Sequence, residues 1–346
     1  MRRVALRVAA GGFLAGAIAV AVASTTGAPA AAPYAVHNGR IALVDSAPSS
    51  LVSVNPDGSA RRVLARCRVA ACPIRAFAWS ADGSLLLFFR SNGGRSYSLY
   101  VVDADGRSTK RLATCGHCGL IFGSRATWSP NSLRIAFSGA NGLFVVDVRR
   151  GVPRRLTRCD TSCSDLYPAW SPDGSKVAFV RGNSLYTVNM NGSALTKLTN
   201  IPSFARDPAW SPDGRQLTFE GMDQIYVVDA DGSHQTLLVD GSRGSGPGVP
   251  SWSPDGTSIL FFNTPGTPGA FTAEVWVMKP DGTEKRRLYH SGCCVGTWSP
   301  PIWSPDGESI AFSADSAGGV LVMKSDGTDL RTLSTRPSDV AWQPIP

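Results

Sequence analysis

The chain is 346 residues long, with 34 Lys and Arg against 26 Asp and Glu, a formal net charge of +8. A positive balance this modest argues against a nucleic-acid partner. Beyond the first 23 residues no long apolar stretch occurs, so stable membrane insertion of the remainder is not expected.

At the N-terminus, Arg2, Arg3 and Arg7 precede an uncharged Ala/Gly/Val stretch from Val8 to Ala23. Small residues follow at Ala21-Val22-Ala23 and Ala28-Pro29-Ala30. A basic start, a short apolar middle and a small-residue exit predict a secretory signal peptide over 1–23, with cleavage anywhere up to residue 33. Residues 24–37 then form a flexible segment, and 38–346 form the folded domain. The expected location is the cell envelope, periplasm or extracellular space.

From residue 79 onward one pattern recurs. Trp-Ser-Pro-Asp-Gly starts at Trp170, Trp210, Trp252 and Trp303, with worn copies at Trp79 and Trp128 and a remnant at Trp342. The Trp-to-Trp steps are 49, 42, 40, 42, 51 and 39 residues. Each period holds an apolar run such as KVAFV (176–180), then a second such as LYTVN, an Asn-Gly or Asp-Gly turn, and a basic-then-apolar run such as RRLTR (154–158). Short Val/Ile/Leu/Phe/Tyr runs punctuated by Gly, Pro and Asp are strands. Four antiparallel strands per period of about 40–50 residues make one blade of a β-propeller. The half-repeat at 40–65 lacks a first strand, and DVAWQP near the C-terminus is a first strand without a repeat. Joined, they predict an all-β, seven-bladed propeller closed by N- and C-terminal strands sharing one blade. Six blades with one irregular repeat outside the ring is the alternative. The Trp residues are expected to pack between blades, and the motif Asp residues to shape turns.

The blade pattern PAWSPDG-x-x-x-AF, followed by LY-x-V-x-x-x-G and a basic-Leu-Thr strand, resembles the TolB-like β-propeller repeat family over essentially all of residues 38–346. That resemblance implies a propeller related to a periplasmic protein that works by binding partner proteins. The N-terminal domain of TolB has no counterpart here. Similar repeats also form the propellers of prolyl-oligopeptidase-type enzymes and of pectin-fragment lyases.

Eight cysteines fall in four close pairs, Cys67/Cys72, Cys115/Cys118, Cys159/Cys163 and Cys293/Cys294, each after a fourth strand. In an exported chain such pairs predict local disulfides. Cys115-Gly116-His117-Cys118 spells a thiol-redox motif, but it lies between strands rather than at a helix N-terminus. Zinc is the other reading of these residue types, and separate loops do not converge on one metal. No metal and no cofactor is expected.

Catalytic signals are sparse. The four histidines, His37, His117, His234 and His290, fall in different repeats, and no Gly-x-Ser-x-Gly is present. The histidine cluster that the lyase resemblance would imply is missing. Aligned on Trp, the positions just before the motif supply Arg75, Arg125, Tyr167, Arg206, Asp207 and Asp339. These define a candidate ligand-binding set at the channel mouth. Arginine forks suit carboxylate or phosphate, so the expected partner is a protein, a peptide or an anionic envelope ligand held by a monomer. The alternative function is a propeller hydrolase or lyase acting on a small ester, glycan or peptide. Basic pairs on the fourth strands block edge pairing and would also attract anionic polymer. The tight turns share one face of the ring. The cysteine pairs and the irregular insertions at 90–98, 240–248, 263–274 and 291–301 share the other, where binding is customised.

Overall fold

The computed structural model describes residues 37–46, 49–67, 74–92, 97–115, 126–160, 163–199, 204–241, 246–265, 272–291, 299–314, 319–334 and 338–345. These residues form seven four-stranded antiparallel sheets and no helix. Each sheet is a blade, and the seven close into a ring. Blade 1 is the composite one: the C-terminal strand Val340–Ile345 is its innermost, paired with His37–Ser46 through Ile41↔Trp342 and Leu43↔Val340. The innermost strands of blades 2 to 7 are Ile74–Trp79, Ala126–Trp128, Asp165–Trp170, Ala205–Trp210, Gly246–Trp252 and Ile302–Trp303.

Strand alternation explains why the ring holds. Successive side chains of a strand point to opposite sheet faces. In blade 4, Val177 and Phe179 therefore join a core shared with blade 3, while Ala178 and Val180 join one shared with blade 5. The same division recurs around the ring, giving an apolar cluster at every blade-to-blade interface. Within five blades an aromatic on the second strand stacks on its cross-strand partner: Phe88 on Tyr100, Phe137 on Phe144, Phe179 on Tyr186, Phe219 on Tyr226 and Phe261 on Trp276. The motif tryptophans bridge blades as expected. The indole N–H of Trp79 donates to Ala341 O, that of Trp128 to Ala78 O, that of Trp210 to Ala169 O and that of Trp303 to Ser251 O.

The Ser-Pro-Asp-Gly turn is read atom by atom in blade 4. The Ser171 hydroxyl donates to Asp173 Oδ1 at 2.6 Å and accepts the Lys176 N–H at 2.9 Å. Asp173 Oδ1 also accepts the Ser175 N–H, and the Gly174 N–H returns to Ser171 O. Gly174 sits at φ +72°, a region that glycine enters without cost. The Ser-to-Asp bond recurs at 2.6 Å in Ser80–Asp82, Ser211–Asp213, Ser253–Asp255 and Ser304–Asp306. These aspartates are turn-formers.

Candidate functional site

The innermost strands are not regular. In blade 4, Leu166 pairs with Val180 and Ala169 with Ala178, so one extra residue is inserted on the inner strand. The same bulge lies between Arg75 and Ala78, between Arg206 and Ala209, and between Gly248 and Ser251. At three of these bulges the residue three before Trp has left-handed backbone: Tyr167 at φ 53°, Asp207 at 45° and Val249 at 47°. Non-glycine residues seldom sit there, β-branched valine least of all. Each is followed by proline, Pro168, Pro208 or Pro250. Proline has no N–H to leave unpaired, so it suits a bulge that interrupts the ladder. The bulge turns the chosen side chain out of the sheet's alternation and towards the ring axis.

What the bulges line is the central channel. A cavity of about 390 Å3 is walled by Tyr167, Asp207, Val249 and the rings of Pro168, Pro208 and Pro250. A neighbouring space of about 270 Å3 holds Asp339, Ser299, Phe77 and Val340. The two share Ala126, Pro300 and Ile302, so they adjoin. A hollow of about 360 Å3 also opens on the turn face between blades 6 and 7. Its groups are occupied in the structure: Asp255 and Asp306 are bound in turns, and Lys279 lies 3.8 Å from Glu284. The channel is therefore the better candidate site.

Blade 5 supplies the densest charge at this site. Arg206 is exposed and lies opposite Glu220 in register, one residue before the bulge at Asp207. Glu220 is half-buried, and its Oε2 accepts the Val249 N–H at 3.2 Å, linking blade 5 to blade 6. Burial first, then the Asp207 charge, pushes the Glu220 carboxyl above its ordinary range, against the Val249 N–H and Arg206, which favour the charged form. The equivalent position is Phe89, Val180 or Phe262 in blades 2, 4 and 6 and Ser138 or Ser313 in blades 3 and 7, so blade 5 alone of these six carries a charge there. Glu220 is absent from the sequence-derived set, because it is marked by its register opposite Arg206 rather than by the run QLTFE itself.

Of that set, Tyr167 and Asp207 line one part of the channel and Asp339 the other, while Arg206 stands beside Glu220. Arg75 lies in the innermost strand of blade 2 opposite Phe89; its side chain, like Arg125, is outside the described residues, as are residues 1–36. Cys159 and Cys163 form a disulfide with Cα atoms 5.8 Å apart, and Cys67 is disulfide-bonded as well. Cys72, Cys118, Cys293, Cys294 and the side chain of Cys115 lie outside the described residues. Just after the Cys159–Cys163 loop, the fully buried Asp165 takes both Arg181 Nε and an Arg181 terminal nitrogen at 2.7 Å and accepts the Thr157 hydroxyl. Among the described residues no group of three or more His, Cys, Asp or Glu side chains could hold a metal ion.

Comparison with known proteins places the repeat. Residues 125–265 match the TolB beta propeller domain family. An uncharacterized peptidase, YuxL, of Bacillus subtilis (strain 168) is 32% identical over 80 residues, which is 23% of this chain and 11% of that protein's length. Among solved structures, oligogalacturonate lyase from Vibrio parahaemolyticus superposes with a TM-score of 0.64 at 16% identity, over 87% of this chain and 85% of its own. TolB from Acinetobacter baumannii does so with 0.56 at 18% identity, over 88% and 66%. At these identities the structures speak for the fold alone. Over residues 125–265 the repeat is thus that of the TolB beta propeller domain, set here in a ring of seven blades.

Proposed function

We propose that the protein is an exported, non-catalytic binding module of the cell envelope or extracellular space that holds a peptide at the channel mouth. The observation that carries this reading is the blade 5 sector, where Arg206 faces Glu220 beside the bulged Asp207. A peptide presents both signs of charge, so its carboxylate suits the Arg206 fork and its amine suits the carboxylates. The anionic preference rests on Arg75, Arg125 and Arg206 together. The basic N-terminus followed by Val8–Ala23 supports export, as do the disulfide-bonded Cys67, Cys159 and Cys163. The test is affinity capture from native culture with the exported chain. Arg206→Ala is expected to weaken the captured ligand by about 1–3 kcal/mol while leaving the melting temperature nearly unchanged. Asp173→Ala, in a turn on the other face, is expected to lower the melting temperature and spare binding. The reverse pattern would place the ligand on the wrong face.

A second reading has one observation in its favour. A half-buried carboxyl held above its usual range beside a second carboxylate is the pairing that general acid–base chemistry uses, which suits a hydrolase or lyase acting on a glycan, ester or peptide. Turnover of such a substrate that is abolished by Glu220→Gln would replace the binding reading.

A further inference from the structure

Basic residues decorate the outer strands of most blades, and protection of open sheet edges explains them in general. In blades 1 and 6 they have acidic partners. Arg61 lies 2.5 Å from Asp45, and Arg287 lies 2.8 Å from Glu274. Blade 3 is different. Its described residues 126–160 hold six arginines and two aspartates. Arg134, Arg149, Arg150, Arg154 and Arg155 are all exposed, and none forms an ion pair among the described residues.

One of the two aspartates, Asp147, lies opposite Arg134 in register and offsets only part of this charge. Asp147 Oδ1 accepts the backbone N–H groups of Arg149 and Arg150, each at 3.0 Å, and so shapes the turn that presents them. The guanidinium groups on the edge strand are braced. Arg154 donates to Met190 O at 2.6 Å, and Arg155 donates to Asn141 O at 3.0 Å while lying over the Phe144 ring at 4.9 Å. Each of these bonds uses one of five guanidinium donors. Lys110 of blade 2 adds its charge to the same place by donating to Val148 O and Arg149 O at 2.8 and 2.7 Å. Blade 5 has the opposite balance, with seven carboxylates against two arginines in residues 204–241. The ring thus carries opposite charge on different sectors, and such a field orients a charged partner before contact.

We propose that the outer edge of blade 3 is a second binding surface, separate from the channel, for a linear polymer bearing closely spaced anionic groups. The cations run from the turn at Arg149 and Arg150 along the edge strand Pro153–Arg155 towards Arg158, an extended run of at most roughly 30 Å. A flat lipid surface approaching either face of the ring would meet only one end of that run, whereas a chain laid along the edge meets all of it. Unpaired, braced forks are suited to phosphate or carboxylate oxygens.

The test uses fluorescently labelled long-chain polyphosphate and the exported protein, with binding followed by anisotropy at low and raised salt. Saturable binding that weakens as salt rises is expected. The side chains of Arg149 and Arg150 make no hydrogen bond among the described residues, so Arg149→Ala with Arg150→Ala should melt like the parent. That double variant is expected to bind about tenfold more weakly. Arg61→Ala with Arg62→Ala on blade 1 should change affinity less than about twofold, and Arg206→Ala should leave it unchanged. Three results would each overturn the proposal: no binding of the polymer, an equal loss in the blade 1 and blade 3 variants, or capture by anionic phospholipid vesicles without capture by the polymer.

Discussion

Two kinds of carboxylate in this ring respond to pH with opposite sign. Asp82, Asp173, Asp213 and Asp255 each lie in a Ser-x-Asp turn (Ser-Ala-Asp at Asp82, Ser-Pro-Asp at the others). Burial pushes these carboxyls up, but the serine hydroxyl and backbone N–H bonds together outweigh it and hold them below the ordinary range. A depressed folded pKa gives stability that is present above the unfolded value of about 4 and is lost as pH falls through the folded value. Glu220 is raised, chiefly by burial and then by Asp207, so its contribution is present below the unfolded value and lost as pH rises through the folded one. The expected outcome is a melting temperature that falls steeply in acid, with Glu220→Gln more stable than the parent near neutrality and no better below about pH 4. Thermal scans across pH check this, and a variant that loses stability at neutral pH would show that Glu220 is charged and well paired. Nothing in QLTFE distinguishes Glu220 from a solvated strand end. Only the register opposite Arg206, together with the uncharged Phe89, Val180, Phe262, Ser138 and Ser313 at the same place elsewhere, exposes it.

The second strand is the element on which each blade depends. Phe179 is fully buried in the core between blades 3 and 4, while its neighbours Ala178 and Val180 face blade 5. Phe179→Ala is expected to cost about 3–5 kcal/mol, because neighbouring blades held by separate cores cannot both collapse into the void. Leu133→Ala, at an exposed position of blade 3, should cost less than about 0.5 kcal/mol. Denaturant unfolding compares the two, and near-equal midpoints would refute this division of cores. These strands were legible in the sequence because alternation and Asp-Gly turns are local signals. The bulges were not, because a left-handed Tyr167, Asp207 or Val249 carries no glycine to mark it. Their trace is Pro168, Pro208 and Pro250, residues that a regular strand would exclude.

For the whole ring, closure was readable from the two half-repeats, and the pairing of His37–Ser46 with Val340–Ile345 bears it out. Contacts beyond the ladder reinforce that seam. Gln343 accepts the Arg40 N–H at 3.0 Å and donates to Gly83 O at 2.7 Å, and Trp79 donates to Ala341 O. Removing residues 336–346 is expected to leave blade 1 without its inner strand, expose the sheet edge of His37–Ser46 and replace one cooperative calorimetric transition by broadened unfolding. A truncated protein that melts like the parent would mean that the seam contributes nothing. Which ligand the ring serves was not legible. Blades share the turn and core residues that specify the fold, whereas the channel residues differ from blade to blade and repeat nothing.

The bulge in the innermost strand has a consequence for how such a protein can change. Tyrosine, aspartate and valine occupy the same slot in three successive blades, with φ within 45–53°. Backbone geometry, set by the extra residue and the proline behind it, does the aiming, so the side chain itself is free to vary. A single substitution at residue 207 or 249 alters the chemistry of the channel wall without disturbing an apolar core or a turn, whereas one at residue 167 also touches the core between blades 4 and 5, which Tyr167 joins. Strength and specificity are thereby uncoupled: the interfaces can stay constant over generations while the lumen is rewritten one blade at a time.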